Sequence, residues 1–286
     1  MPTWRLLARN NDFAPATANQ FNQTGATMSY ENLLTEIGDD FVADITLNRP
    51  DQLNTFNTPL AGELVQALEE LDADTNVRVI IVKGAGKAFC AGIDVNELKG
   101  KTAMEYKAWI EHMEKPLVTI SRMSKPVIAQ VQGVAAANGA GLVAAADLAI
   151  AADNTRFGLT AINVGLNCIG PVVPVTRSVG RKRALELLLY GDLIKAPVAL
   201  EMGLLNRVVP NGDLENETRN WAATLARKSP VAVQISKKAF YAAADLDYYK
   251  AFEYMNEAFA RLCTTEDAKE GVNAFFEKRV PEWKLR

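Results

Sequence analysis

Two short loops of small residues indicate where this protein could do chemistry. The first, FCAGIDV, covers residues 89–95, and the second, GVAAANGAG, covers residues 133–141. Small side chains let a ligand approach the main chain closely, and N–H groups without an acceptor can stabilise an oxygen that becomes negative during a reaction. Either loop alone would be interpreted as a tight crossover between packed elements. The pair, in this order, predicts a two-sided binding site for a carbonyl oxygen.

Each loop follows a buried strand. The segments VRVIIVKG at 77–84 and KPVIAQVQG at 125–133 are rich in branched and apolar residues, which is typical of strands covered on both faces. The second loop also opens a helix, GAGLVAAA at 139–146, whose first N–H groups and dipole favour an anion. The two sources of N–H groups are therefore predicted at the ends of successive strands.

Strands and helices alternate around these loops. A hairpin is predicted for NLLTEIG and VADITLNRP, followed by a helix from Thr58 and a charged helix over about 103–123. The strand LAIAA comes next, and beyond Pro171 the chain is mostly helical, with two further amphipathic segments near 214–245 and 247–278. This order predicts one α/β domain with a helical C-terminal lobe.

Composition argues against several classes of function. The 286 residues, 49% of them hydrophobic, can bury the core of one large domain. A net charge of −3 gives no basic field for nucleic acid, and the sequence lacks the run of about 18 apolar residues that a membrane span needs. Three scattered cysteines and one histidine, His112, argue against a zinc site, a disulfide framework and a Ser-His-Asp triad. No motif calls for a metal or a redox cofactor.

Residues 1–27 are polar, rich in Asn and Gln, and lack the apolar core of a signal peptide. We interpret them as a flexible N-terminal extension, with MSYENL at Met28 as the natural start of the folded domain. The few cysteines suggest a reducing compartment, so we expect a cytoplasmic protein. An organellar matrix is the alternative if the WRLLAR segment is part of a targeting signal.

Several motifs, in order along the chain, resemble those of the crotonase (enoyl-CoA hydratase/isomerase) family. They are ITLNRPDQLNTFN at 45–57, GAGKAFCAGIDVNEL at 84–98, the block KPVIAQVQG to NTRFG at 125–158, EMGLLNRVVP at 201–210 and GVNAFFEKR at 271–279. The resemblance covers the chain from about residue 30 to the C-terminus. It implies a crotonase-like ββα spiral over residues 28–286, with a spiral core at 28–210 and a helical lobe at 211–286. It also implies a homotrimer or a dimer of trimers.

The resemblance implies an acyl-CoA thioester as the ligand, with coenzyme A as part of the substrate and not as a cofactor. The thioester oxygen would lie between the N–H groups of Ile93 and Asn138, and the adenine half of CoA would follow the main chain of residues 90–92. Lys87 and Lys278 are candidate phosphate partners, Lys278 from a neighbouring subunit. The substrate-binding residues predicted in this way are Lys87, Ala88, Cys90, Ala91, Gly92, Asp94, Ala137, Gly141, Ala161, Leu166 and Lys278.

The sequence departs from the family at the acid–base positions. The two glutamates that orient water in the family's hydratases would stand at Gly141 and Ala161, and neither residue is acidic. Glu114 is the candidate that remains, because some relatives place a catalytic side chain on the helix before the Lys-Pro pair at 125–126. Weaker candidates are Glu111, His112, Asp94, Asn167, Cys168, Tyr248 and Tyr249. Asp94 is also expected to cap the helix that follows it.

These observations favour an acyl-CoA enzyme of the hydratase/isomerase type with an atypical acid–base residue. The alternatives are a catalytically weak or silent acyl-CoA-binding protein, and a CoA-thioester hydrolase or decarboxylase on the same scaffold. Standard two-glutamate hydration is not expected. The apolar surroundings predicted near Ala137, Ala161 and Leu166 favour an apolar acyl chain over a diacid.

Overall fold

A computed structural model describes residues 30–286, so the predicted extension at 1–27 lies outside the described residues. The strands are β1 Leu33–Ile37, β2 Val42–Leu47, β3 Val79–Gly84, β4 Val127–Val131, β5 Val134–Ala136, β6 Leu148–Ala152, β7 Arg156–Gly158, β8 Ile194–Lys195 and β9 Arg207–Val209. The helices are α1 Thr58–Ala73, α2 Ala103–Arg122, α3 Asn138–Ala145, α4 Val172–Val179, α5 Arg181–Tyr190, α6 Ala196–Met202, α7 Leu214–Ala226, α8 Pro230–Ala243, α9 Tyr248–Cys263 and α10 Glu266–Glu277.

The main sheet has the strand order β1-β2-β3-β4-β6-β9. The predicted hairpin is confirmed, since β1 and β2 pair antiparallel, and the remaining strands of this sheet run parallel. A second, small sheet has the order β5-β7-β8 and was not predicted, because its strands are only two or three residues long.

The chain repeats one pattern: a strand in the main sheet, a short strand in the small sheet, then a helix. β4, β5 and α3 form one repeat, and β6, β7 and α4 form the next, with a 3-10 helix at Thr160–Val164 between β7 and α4. After β3 the short strand is reduced to a single bridge between Cys90 and Ala135. The predicted ββα spiral is therefore confirmed.

Both faces of the main sheet are buried, which explains the unbroken apolar run of β3. Ile80 and Val82 belong to a core that includes the leucine face of α1 (Leu60, Leu64, Leu68 and Leu71). Val79 and Ile81 point to the opposite face, where they pack in a second core with Leu214, Ala222 and Ala226 of α7. Alternate residues of a strand face opposite sides, so each face needs its own apolar set.

The two amphipathic segments predicted near 214–245 and 247–278 are helical, and each of them contains two helices. Ser229 caps α8 by accepting the N–H of Ala232 at 3.1 Å, with Pro230 at the first helical position. Thr265 caps α10 in the same way through the N–H of Ala268 at 3.1 Å. Capping side chains of this type begin new helices within a continuous apolar pattern.

None of the helices between residues 30 and 286 combines the length and apolar composition of a bilayer-spanning segment.

Candidate active site

The loop at 89–95 is held by hydrogen bonds to Phe56 on one side and to Val134 and Ala136 on the other. On one side, Phe56 donates its N–H to Gly92 O at 2.8 Å, and Asp94 donates its N–H to Phe56 O at 2.7 Å. These two bonds make a bridge in which Ile93 is opposite Phe56, so the N–H of Ile93 points the other way. No acceptor for it exists among residues 30–286.

A second free donor lies at the start of α3. Asn138 is the first residue of this helix, and a helix leaves its first N–H groups without an internal partner. Ala137, just before it, has φ 48° and ψ −115°, a conformation that is costly for any residue but glycine. This strained turn leads directly from β5 into α3 and places the helix N-terminus at the end of the strand.

The two loops touch. A Cβ built on Gly139 would lie 2.1 Å from Cys90 O, and one built on Gly92 would lie 3.0 Å from the Cβ of Ala137. Glycine is required at both positions because a side chain would separate the loops. The structure therefore brings the Ile93 and Asn138 segments together, as the order of the two loops in the sequence predicted.

A supporting residue that the sequence analysis missed is Asn54. Its buried side chain donates to Ala85 O at 2.9 Å and to Ala88 O at 2.8 Å, and its Oδ1 accepts the N–H of Arg49 at 2.9 Å. Asn54 thus fixes the segment that leads into the first loop. Asn54 lies within the motif at 45–57, to which the sequence analysis assigned no supporting residue.

Asp94 is fully engaged. Its carboxylate pairs with Arg49 at 3.0 Å and accepts the N–H of Asn96 at 3.1 Å, so it caps the 3-10 helix Val95–Glu97 as predicted. The hydrogen bond from Arg49 lowers the pKa of Asp94. A carboxylate with these partners stabilises the conformation of the loop and is a poor proton acceptor.

Glu114 differs from Asp94 in having no partner. It is half-buried on α2, and its side chain forms no hydrogen bond or ion pair within residues 30–286. Burial raises its pKa, with a smaller contribution from Glu111. Arg78 Nε and Gln132 Oε1 are the only described side-chain atoms sealed from solvent without a hydrogen bond, so the Glu114 oxygens keep some contact with solvent.

Helix α2 carries Glu114 to the first turn of α3. Asn138 Nδ2 donates to Met113 O at 3.4 Å, and the Cδ2 of Leu117 lies 3.0 Å from a Cβ built on Gly141. Glu114 lies on α2 between these two contacts. The Glu114 carboxylate itself lies against Gly170, whose neighbour Pro171 contacts Gly141 of α3.

Position 141 itself has no space for a side chain. A Cβ there would lie 2.9 Å from both Cα and Cβ of Pro171, and Gly141 is buried. Of the other residues predicted to line the acyl pocket, Ala161 is half-buried on the 3-10 helix at Thr160–Val164 and Leu166 is exposed.

The enoyl-CoA hydratase/isomerase family matches residues 38–286. The chain belongs to this family.

Relatives with named functions are similar in sequence to most of this chain. A "Probable enoyl-CoA hydratase" of Mycobacterium bovis is 36% identical over 91% of this chain and 100% of its own length. The human "Enoyl-CoA hydratase domain-containing protein 3, mitochondrial" is 36% identical over 85% of this chain and 81% of its own length. The crystal structure of the enoyl-CoA hydratase of Mycobacterium smegmatis superposes with a TM-score of 0.86 at 37% identity, covering 88% of this chain and 98% of that one.

In this member of the enoyl-CoA hydratase/isomerase family, Lys87 and Ala88 precede the first loop and Cys90 lies within it. Ala88 and Cys90 are buried, and Lys87 is exposed. Both main-chain groups of Cys90 are already used, since its N–H donates to Val134 O at 3.2 Å and its carbonyl accepts from Ala136 at 2.9 Å. Burial raises the pKa of the Cys90 thiol to about 12, which leaves no thiolate near neutral pH.

The other acid–base candidates on α2 point elsewhere. His112 Nε2 lies 2.9 Å from Thr58 O at the start of α1, and Glu111 pairs with Lys107 at 3.3 Å on the exposed side of the helix. Burial also raises the pKa of the Cys168 thiol. Glu114 is therefore the α2 candidate that the structure brings to α3.

The residues of the C-terminal lobe that the sequence analysis named are exposed in the single chain. Lys278 is exposed at the end of α10, which packs on α8 and α9. Tyr248 and Tyr249 are exposed at the start of α9. A groove of about 420 Å³ lies in this lobe and is lined by residues that include Phe275, Phe276 and Trp283.

Proposed function

We propose that this protein is an acyl-CoA enzyme of the hydratase/isomerase type that stabilises a thioester enolate between the N–H groups of Ile93 and Asn138. The observation that carries the proposal is the contact between two loops that each offer an N–H without an acceptor. Preorganised donors of this kind stabilise charge that develops on a carbonyl oxygen. Family membership supports an acyl-CoA thioester as the substrate.

Glu114 is proposed as the acid–base residue. In its ionised form it would remove an α-proton from an acyl thioester whose double bond joins the β and γ carbons, and the electron pair would move onto the thioester oxygen to give a dienolate. Returning the proton to the γ carbon would move the double bond to the α and β carbons and so isomerise the substrate. A carboxyl whose pKa is raised by burial is a better proton acceptor near neutral pH than an ordinary one.

With no acidic residue at 141 or 161, we do not propose hydration by a pair of glutamates. The acyl chain would lie along Ala137, Ala161 and Leu166 and would be apolar. The CoA half would follow the main chain of residues 90–92, with Lys87 near a phosphate and Lys278 supplied by a neighbouring subunit of a homotrimer or dimer of trimers.

A cytoplasmic location remains our proposal, with an organellar matrix as the alternative. The name of the human relative includes the word mitochondrial, which supports the alternative.

The decisive experiment follows exchange of the α-protons of butyryl-CoA in D₂O by NMR. Glu114→Gln should lower the exchange rate by about 10²–10⁴-fold, because it removes the proton acceptor and keeps the shape. Butyryl-CoA should bind the variant as tightly as it binds the wild type. Glu111→Gln is the matched control, one turn earlier on the same helix, and should exchange normally.

A second pair of variants tests the N–H of Asn138. Asn138→Pro removes the N–H, and proline is tolerated at the first position of a helix. Asn138→Ala keeps the N–H and removes only the side chain. The proline variant should lose exchange activity while the alanine variant retains it.

Three results would contradict the proposal. Normal exchange by Glu114→Gln would exclude Glu114, and binding of butyryl-CoA without exchange by the wild type would favour a silent binding protein. Hydration of crotonyl-CoA as fast as by a two-glutamate enzyme would mean that another acid lies in the site.

A further inference from the structure

We propose that Gly170 is a positioning residue for Glu114: its missing side chain is the space in which the Glu114 carboxylate lies. A Cβ built on Gly170 would come within 1.6 Å of Glu114 Oε1 and 2.0 Å of Glu114 Cδ. The carboxylate therefore occupies the volume that any side chain at 170 would need. This inference rests on the proposed acid–base role of Glu114.

The main chain at 170 gives no other reason for glycine. Gly170 is absent from the residues with positive φ, so no left-handed main chain requires glycine there. The three atoms nearest to its virtual Cβ all belong to the Glu114 side chain. By contrast, the glycine at 139 is held against the main chain of Cys90.

Two consecutive residues, Gly170 and Pro171, have opposite effects on the space available to side chains beside α3. Pro171 fills the volume next to Gly141, whereas Gly170, which has no side chain, leaves room for the Glu114 carboxylate. A carboxylate is excluded from the α3 position and accommodated from α2. Gly170–Pro171 therefore determines which helix presents the acid, and in which direction that acid points.

The carboxylate has few charged neighbours that could hold it elsewhere. Helix α3 has no charged residue, and Arg177 of α4 pairs with Asp245. Glu111 is the charged group that acts on Glu114, and it repels. A methyl group at 170 would consequently push the carboxylate toward solvent, because the end of a glutamate side chain moves more easily than the main chain.

The test is Gly170→Ala, assayed by α-proton exchange of butyryl-CoA. The variant should fold, bind butyryl-CoA as the wild type does, and exchange protons about 10²-fold more slowly, the size of loss that a misplaced catalytic group causes. The acidic limb of its pH–rate profile should also shift to lower pH, since the carboxyl becomes more hydrated. Gly212→Ala, at an exposed glycine with nothing within 4 Å, is the matched control and should change neither.

A double-variant cycle keeps the proposal falsifiable if Gly170→Ala is poorly folded. In a Glu114→Ala background the methyl group at 170 has space, so Gly170→Ala should lower neither the melting temperature nor the residual rate. A loss of stability of the same size in both backgrounds would overturn the contact.

The two proposals fail in different ways. If Glu114→Gln is inactive while Gly170→Ala has the rate and pH profile of Gly212→Ala, Gly170 does not position the acid and the proposed function stands. If Glu114→Gln is fully active, the proposed function itself fails.

Discussion

At the scale of single residues, Glu114 is unusual in what it lacks. Asp94 and Glu97, the carboxylates in and just after the first loop, are each held by several donors. Glu114 is half-buried with no donor among residues 30–286, so its ionised form has lost hydration without compensation. Groups that are destabilised in this way are concentrated at functional sites.

The first prediction follows from the raised pKa of Glu114. The folded state holds the Glu114 proton more tightly than the unfolded state does, so this group stabilises the fold at low pH. That contribution is lost as pH rises from the ordinary glutamate range through the raised pKa. Glu114→Gln should therefore melt at a higher temperature than the wild type at neutral pH.

Melting curves of both proteins over an acidic to neutral pH series check this prediction. The difference between them should shrink toward low pH, where the wild-type carboxyl is protonated. Glu111→Gln removes a charge that repels Glu114, so it should show the same trend with a smaller amplitude. A difference that grows toward low pH would mean that folding lowers the pKa of Glu114, the opposite of the expected direction.

At the scale of elements, the first loop is shaped by the segment before α1. Residues 48–57 hold it through the Asn54 side chain, through Leu53 O, which accepts the Ala91 N–H at 3.0 Å, and through the bridge at Phe56. The direction of the Ile93 N–H is thus set by a stretch of chain about forty residues earlier. This explains why that stretch forms a motif although it contains no acid–base residue.

We predict that Asn54→Gly destabilises the protein by about 2–4 kcal/mol, because it leaves buried carbonyl and N–H groups without partners. Glycine is chosen because Asn54 has φ 55°, which glycine adopts freely. Denaturant unfolding measures the loss, and butyryl-CoA titration should show weaker binding. Gln52→Ala, at an exposed neighbour in the same segment, should have neither effect.

Helix α8 is joined to the spiral core by a buried ion pair. Lys237 Nζ lies 2.7 Å from Asp147 Oδ2 and donates to Lys125 O at 2.8 Å, while Tyr241 donates to Asp147 Oδ1 at 3.0 Å. Asp147 also accepts the N–H of Val127 at 2.7 Å. One carboxylate thus connects β4, the start of β6 and the helical lobe.

Lys237→Met should lower the free energy of unfolding by about 3–5 kcal/mol, since it leaves the Asp147 charge buried and unpaired. Lys238→Met, at the exposed next residue, is the matched control and should be nearly neutral. Combining Lys237→Met with Asp147→Asn should restore part of the loss. If denaturant unfolding showed that Lys237→Met and Lys238→Met lower the free energy of unfolding equally, the ion pair of Lys237 and Asp147 would have no structural role.

At the scale of the whole molecule, the C-terminal lobe exposes aromatic surface. Tyr249, Phe259, Phe275 and Phe276 are each at least 67% exposed. Apolar surface of this extent on a single chain marks an interaction site. We propose that a second and third copy of the chain cover part of it.

Sedimentation of the purified protein should therefore give three or six times the mass of one chain. Phe275→Asp together with Phe276→Asp should shift the distribution toward smaller species, because charge at a buried interface is costly. Lys269→Asp, an exposed charge change on the same helix, should not. A wild type that sediments as a single chain at high concentration would exclude the assembly.

The sequence by itself determined the apolar repeat of the main helices and strands and the positions of the two small-residue loops. The leucine spacing of α1, the two-sided apolar run of β3 and the hairpin of β1 and β2 are local patterns, and burial follows the face on which a residue repeats. The two small-residue loops could also be recognised, because close main-chain approach requires small residues wherever it occurs. These features depend on neighbours within a few positions of the chain.

Tertiary structure decided which side chain meets which loop. Glu111, His112 and Glu114 lie within one turn of α2, and only the packing of α2 against α3 turns Glu114 inward and the others toward solvent and α1. The contacts of Gly141 with Pro171 and of Gly170 with Glu114 could not be predicted from the sequence either, since they join segments that are distant along the chain. Each helical residue advances by about 100°, so a direction in space is fixed only when the whole helix is docked.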